Sequence, residues 1–359
     1  MSKYRITLTP IDKFFFGGDM TFQVGDNDKD SFNKRYKSYI IQSSLFPQQT
    51  SLLGMLRFLI LRNAGADVFK DGKIVDKDKA KKLIGGKSFS VNPNHEENRF
   101  GLIKSLSHVR LQRTKDGKCT DLEFKPLFGE LDLNKNTQSD GSHNYQPVSL
   151  PDIDKKAYNA KKPLKTYLTD GKGEWQVSEF FKEDRRIGIS RDIKTGKTGE
   201  DALFIQISYR FAQDARYCFA FEAEIDDCLP LEQYNGQMVS VGGDNSQFII
   251  GITKETQSKT LSGMTNALYL LSPTFLPREE AKTAAFAITD LMPFRFLSSV
   301  MDDVSSYHIL SGKLVRSDGF ELYAPGSVFY FKSEEEKQKF ASLIEAKKEF
   351  RQIGYNEYQ

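Results

Sequence analysis

Two strings in this 359-residue chain carry the lysine and hydroxyl of a phosphate-binding loop, Gly86-Lys87-Ser88 and Gly196-Lys197-Thr198. Such a loop needs a further glycine five residues before the first one, so that backbone amides can wrap the phosphates. Lys81 and Arg191 stand at those positions, so neither string is such a loop. Gly17-Gly18-Asp19 and Gly242-Gly243-Asp244 offer a double glycine and a carboxylate, as in two-metal nucleotide cyclisation. That chemistry requires a second acid beside the first. Met20 and Asn245 follow instead. His95, His108, His143 and His308 lack metal-ligand spacing. No metal, cofactor or catalytic residue is expected, and His308 or Tyr307 is the base that a metal-independent RNA cleavage would need.

The remaining constellations suit holding a polyanion. Gln49, Thr50 and Ser51 open a predicted helix, whose free N–H groups and positive dipole end favour phosphate. Gly54 allows close approach, and Arg57 lies one turn further on. In the segment before Asp192, Arg186, Gly188 and Ser190 share one face of a predicted hairpin while Ile187 and Ile189 pack inward. Arg191 near the loop reaches a backbone phosphate, and arginine can stack on bases as well as neutralise phosphate. His108 and Arg110 project from one strand face, and Gly17-Gly18 and Gly242-Gly243 supply amide-rich turns.

Charge is distributed to match. The net charge is only +3, yet Lys155 to Lys197 holds twelve basic against six acidic residues, and Lys104 to Lys118 holds five against one. Arg216 to Asn245 reverses the balance, with one basic and six acidic residues. Such a chain suits a subunit that touches a polyanion on one face and protein elsewhere.

The elements that must position these residues are readable in part. Tyr4, Ile6 and Leu8 alternate with Arg5, Thr7 and Thr9 as a half-buried strand. Thr50 or Ser51 caps a helix running to about Asn63, with Leu52, Leu53, Leu56, Leu59 and Ile60 as its stripe and Gly65 as a left-handed C-cap. Gly101 to Arg113 reads as a strand that turns at Asp116-Gly117 and returns through Leu122 and Phe124. Glu130 to Gly173 reads as a long loop or insertion. Leu203 to Phe211 and Tyr217 to Ile225 alternate as strands, and Met238–Val241 and Phe248–Ile252 flank a glycine turn. Arg278 to Asp290 is helical in composition, and a strand follows the Pro325-Gly326 break. Ser333 with Glu336 forms a capping box for a last helix that buries Phe340, Leu343 and Ile344. The class is α+β, best fitted by two ferredoxin-like (RRM-like) domains with inserted loops and hairpins, residues 1–175 and 176–359.

Several of these segments, in this order, resemble a known family. They are Pro10 to Gly18, Phe46 to Arg57, Arg186 to Ile189 before Asp201 to Phe204, and Val241 to Asp244. Together they are similar to the RAMP-superfamily subunit of type III-B CRISPR (Cmr) effector complexes that holds the 5′ tag of the guide RNA. The likeness spans about residues 4–331. It implies two ferredoxin-like domains, no catalytic duty, and seating of the crRNA 5′ tag. It also implies docking against the large polymerase/cyclase-like subunit and a neighbouring backbone RAMP subunit. The chain departs from the pattern where Asn245-Ser246-Gln247 follows Asp244. Two other readings stay open: a metal-independent RAMP endoribonuclease that processes precursor crRNA, and the equivalent subunit of a type III-A complex.

Composition fits that frame. An apolar share of 39% with 12% aromatic residues is enough to build cores, and no run of about 18 apolar residues crosses a membrane. Cys119, Cys218 and Cys228 show no paired spacing, as in a reducing compartment. The first residues lack the apolar core of a signal peptide, so a cytoplasmic protein without membrane partners is expected.

Overall fold

A computed structural model gives the fold and describes residues 1–17, 20–22, 39–86, 89–91, 100–126, 133–137, 143–147, 166–191, 198–242, 244, 246–255, 266–299 and 314–359. It is α+β, with mostly antiparallel sheets and few helices among those residues. In chain order the elements used below are β1 (Ser2–Pro10), β2 (Met20–Phe22), β3 (Tyr39–Gln42), α1 (Gln49–Arg62) and α2 (Lys77–Ile84). They continue with β4 (Ile103–Leu106), β5 (Arg110–Lys115), β6 (Lys118–Phe124), β7 (Tyr167–Thr169) and β8 (Glu174–Gln176). Then come β9 (Phe181–Arg191), β10 (Thr198–Phe211), β11 (Arg216–Ile225), β12 (Met238–Ser240), β13 (Gln247–Lys254) and α3 (Glu334–Glu345).

A nine-stranded sheet runs β8-β7-β6-β5-β11-β1-β13-β12, with β4 also paired to β11. The division expected at 175/176 does not separate two sheets, because β1 lies between β11 and β13, antiparallel to both. Alternation explains that central position. Tyr4, Ile6 and Leu8 of β1, Phe219 and Phe221 of β11, and Phe248 and Ile250 of β13 are buried in one core with the leucines of α1. A smaller sheet, β9-β10-β3-β2, leans on that core. Phe14 and Phe16 join the two, with Phe14 edge-on to Phe219 at 5.4 Å and Phe16 stacked on Phe248 at 5.8 Å.

Several expectations shift in register or in kind. Helix α1 starts at Gln49 after the extended Gln48, which makes no side-chain cap, so neither Thr50 nor Ser51 caps it. It ends on Asn63, and Gly65 takes its positive φ two residues later. The strand expected over Gly101–Arg113 is two strands, interrupted at Ser107–Val109, because Ser107 turns its hydroxyl and carbonyl into contacts off the ladder. Asp116 and Gly117 both adopt positive φ, as a two-residue hairpin demands. Within Glu130–Gly173, expected as a long loop or insertion, residues 133–137 pair with 143–147, so the segment carries a hairpin. Arg278–Asp290 is helical only over Arg278–Ala281 and then enters a strand at Phe286–Ile288, where Phe286 pairs with Tyr330. The hydroxyl of Ser333 caps α3 as expected, but the Glu336 carboxylate accepts from Lys332 rather than closing the box.

The C-terminal tail packs into the core. Ile353 and Tyr355 are buried, and Gly354 sits so close to α1 that a methyl group there would lie 1.9 Å from Gln49 Nε2. Asn356, fully buried at φ 58°, accepts from the Phe275 amide and donates back to its carbonyl. No helix among the described residues is long and apolar enough to cross a membrane.

Candidate nucleic-acid interface

The residues chosen from the sequence fall into two groups. The first is closed. Gln49 is 2% exposed and donates Nε2 to the Ser107 carbonyl at 2.7 Å. The Tyr355 hydroxyl lies against the backbone of Gln49 and Thr50 and the Thr50 side chain, and burial pushes its pKa upward. The α1 N-terminus therefore faces the protein's own tail, and this corrects its reading as an open phosphate seat. Gly54 lies on the exposed stripe of α1, while Arg57 does not share that face. Arg57 is 4% exposed, donates to the Gly85 carbonyl at the end of α2 and sits 6.0 Å from the Phe100 ring. Burial lowers its pKa to about 10, so it remains charged at neutral pH and is held inside.

His108 and Arg110 are also engaged internally. His108 Nε2 meets Glu123 Oε2 at 2.9 Å, and Arg110 bridges Glu123 at 3.4 Å and Glu222. Arg5 continues the chain of charges to Glu222 at 3.5 Å and to Asp121. Burial alone would raise the Glu123 carboxyl, but the His108 hydrogen bond and the nearby cations outweigh it and hold its pKa below the usual 4.5. The strand face expected to touch bases thus carries an internally paired ionic network.

The second group is open and comes together around β9 and β10. Gly242, at φ 97°, packs so tightly that a methyl group would lie 2.3 Å from the Phe15 carbonyl oxygen. That contact puts the Gly242 turn beside the Gly17 turn. Ser246 reinforces it by accepting from the Phe15 amide at 2.8 Å. Ser43 does the same for Phe16, and the Tyr209 carbonyl takes the Phe14 amide. The amides just before Gly17 are therefore bonded within the fold, and the Gly17 carbonyl accepts from Ser44. Gly18 and Gly243 lie outside the described residues, as do His95, Tyr307 and His308.

Cross-strand pairing then sets a basic face. Arg186 pairs with Gln206, Asp184 with Ser208 and Lys182 with Arg210, so these share one side of the hairpin. Asp184 receives Lys13 at 3.4 Å, Arg186 at 3.3 Å, and Arg210. The Arg210 hydrogen bond, with Lys13 and Arg186 behind it, depresses the Asp184 pKa against the effect of burial. Four cations (Lys13, Lys182, Arg186, Arg210) meet two carboxylates (Asp184, Asp244) here, a surplus of two positive charges. Asp244 accepts from Gln206 Nε2 at 3.0 Å, which ties the Gly242 turn to β10. Arg186 itself is 64% exposed at its side chain. Gly188 faces Phe204, and Arg191 pairs with Thr198 beyond a register shift, its side chain outside the described residues.

Ile187 and Ile189 do not pack inward as expected. They are 73% and 52% exposed, because β9 runs past the core that covers Phe181 and Ile207 on that same face. Sequence reasoning missed Lys13, Gln206 and Arg210. The signal was present in the alternation of β10, whose buried Ile207 and Tyr209 put Gln206 and Arg210 on the other side.

The family model described as CRISPR-associated protein (Cas_Cmr3) matches residues 6–358. No curated protein matches the chain. A chain in the cryo-EM structure of the Type III-B Cmr-beta bound to cognate target RNA is 14% identical, with a TM-score of 0.53 over 99% of this chain and 96% of that one. A second is in the cryo-EM structure of the Type III-B Cmr-beta bound to cognate target RNA and AMPPnP, state 1. It is 14% identical with a TM-score of 0.48, covering 98% of this chain and 94% of its own. The first likeness establishes a shared fold. The family match, running over nearly every residue of the large sheet, the hairpin and the C-terminal tail, places the chain in the Cas_Cmr3 family of CRISPR-associated proteins.

Proposed function

We propose that this chain is a non-catalytic subunit of a type III-B CRISPR effector complex that holds the 5′ tag of the crRNA. It docks there against the large polymerase/cyclase-like subunit and a backbone RAMP subunit. Family membership supports the setting, and the shared fold with a chain of a Type III-B Cmr-beta complex supports the α+β architecture. The observation that carries the RNA role is the basic face of the β9–β10 hairpin beside the Gly17 and Gly242 turns. Its surplus cations are exposed, whereas those of the large sheet are neutralised.

In this reading Arg186 and Arg210 meet tag phosphates, Arg191 extends the contact toward the hairpin tip, and the Gly17 and Gly242 turns keep the backbone beside them low. Phosphate neutralisation releases counterions, so affinity falls with salt in proportion to the contacts made. In the assembled complex, Arg186→Ala should weaken tag RNA binding and reduce the salt slope by about one contact. Unchanged binding and slope would refute the assignment. Incubation with precursor crRNA should give no cleavage, and a product ending in a 2′,3′-cyclic phosphate would establish the endoribonuclease instead.

A further inference from the structure

The basic face of the hairpin also carries an aromatic ring. Phe204 pairs with Gly188 across β9 and β10, and a methyl group on Gly188 would lie 2.2 Å from Phe204 Cζ. The ring is therefore laid over bare backbone, the arrangement by which an aromatic covers a strand glycine. That contact uses one side of the ring. Phe204 stays half-buried, on the same face as the exposed Arg186 and the cations around Asp184. Next along β10 on this face is Gln206, whose Nε2 is turned to Asp244 at 3.0 Å. Its Oε1 thus points away from that carboxylate as an acceptor.

We infer that Phe204, seated on Gly188, stacks a nucleobase, and that Gln206 Oε1 accepts from the exocyclic amine of that base. The inference rests on the tag-binding reading and adds a subsite to it. Each part of a nucleotide has a counterpart here. The π-face meets the ring, the amino edge meets the amide, and the phosphate meets surplus arginine. An apolar protein partner fits the opposite face better, where Ile187 and Ile189 are exposed and the Arg185 charge is met by Glu183 at 2.7 Å. An amino-bearing base is preferred over uracil, which has no exocyclic amine and carries a carbonyl acceptor in its place.

The test uses the assembled complex with tag RNAs made abasic at one position at a time. One abasic position should cost wild type about tenfold in affinity, the scale of a single base stack. Phe204→Leu, which keeps an apolar cover on Gly188, should lose the same factor on intact tag. It should lose nothing further on that abasic RNA, and its salt slope should stay that of wild type. Gln206→Leu should flatten the preference for an amino-bearing base at that position alone. Wild-type affinity in Phe204→Leu, or additive losses with every abasic RNA, would overturn the stacking site while Arg186→Ala still weakens binding. Failure of the wild-type complex to bind tag RNA would overturn the functional reading itself.

Discussion

Arg110 and Arg186 are both strand arginines beside carboxylates, yet they belong to opposite kinds of surface. On the large sheet Arg110 is 9% exposed, and it bridges two carboxylates with His108 and Arg5 completing the network. On the hairpin Arg186 shares one carboxylate with Lys13 and Arg210 and keeps most of its guanidinium in water. The difference lies in the ratio of cations to carboxylates and in what covers them. β6 and β11 bring Asp121, Glu123 and Glu222 to Arg5 and Arg110, whereas the hairpin gathers more cations than it neutralises. A sequence motif identifies a guanidinium. Whether it is available to a ligand depends on partners far away in the chain.

The sharpest break of that comparison is Arg110→Ala. It removes the cation that Glu222 and Glu123 share and leaves them Arg5 and His108, so the loss is up to about 3–5 kcal/mol, the range for breaking a buried ion pair. Denaturant unfolding should show this loss directly. RNA affinity of the remaining folded protein should be unchanged, and a specific loss of affinity at full folding would put Arg110 back among the ligand contacts. Next is Gly242→Ala. The new methyl meets the Phe15 carbonyl at 2.3 Å from a positive-φ backbone, a strain of about 1–3 kcal/mol. Because that contact aligns the two glycine turns, weaker tag binding should accompany the lower melting temperature.

A smaller effect in the large sheet depends on pH. Glu123 has a depressed pKa in the folded chain, so it contributes stability above the unfolded value and loses it as acid protonates it. Stability should decline from near pH 4.5 downward, and Glu123→Gln should flatten that limb. An unaltered acid limb in the variant would mean that the His108–Glu123 contact does not carry the linkage.

How much of this was legible follows from the range of the interactions. Alternation in β1, β10 and β11 and the stripe of α1 are local, and each was read with nearly correct ends except β10, which starts at Thr198 and not Leu203. The wrong inferences concern burial by distant segments. Arg57 looked available to a ligand because it lies one turn past Gly54, but α2 and Phe100 cover it. The start of α1 looked open because nothing nearby in sequence says that Tyr355, some 300 residues on, closes it. Ile187 and Ile189 looked buried because they alternate with Arg186, Gly188 and Ser190, though the core ends before they do. Gly17, Gly242 and Arg186 remain in the proposed site because a required turn and an exposed edge are local properties.

Arg186→Ala is the gentlest perturbation and the most discriminating. Its bond to Asp184 is solvent-exposed on the arginine side, and such pairs contribute about 0–1 kcal/mol. Arg210 and Lys13 remain to neutralise Asp184, so the melting temperature should stay within error of wild type. Tag RNA binding in the assembled complex should nonetheless weaken, most at low salt, where a phosphate contact contributes most. The contrast with Arg110→Ala is then complete: one arginine removed at a large cost in stability and none in specific affinity, the other the reverse. A melting temperature that falls in Arg186→Ala, with the salt slope unmoved, would make the hairpin face a structural surface like that of the large sheet.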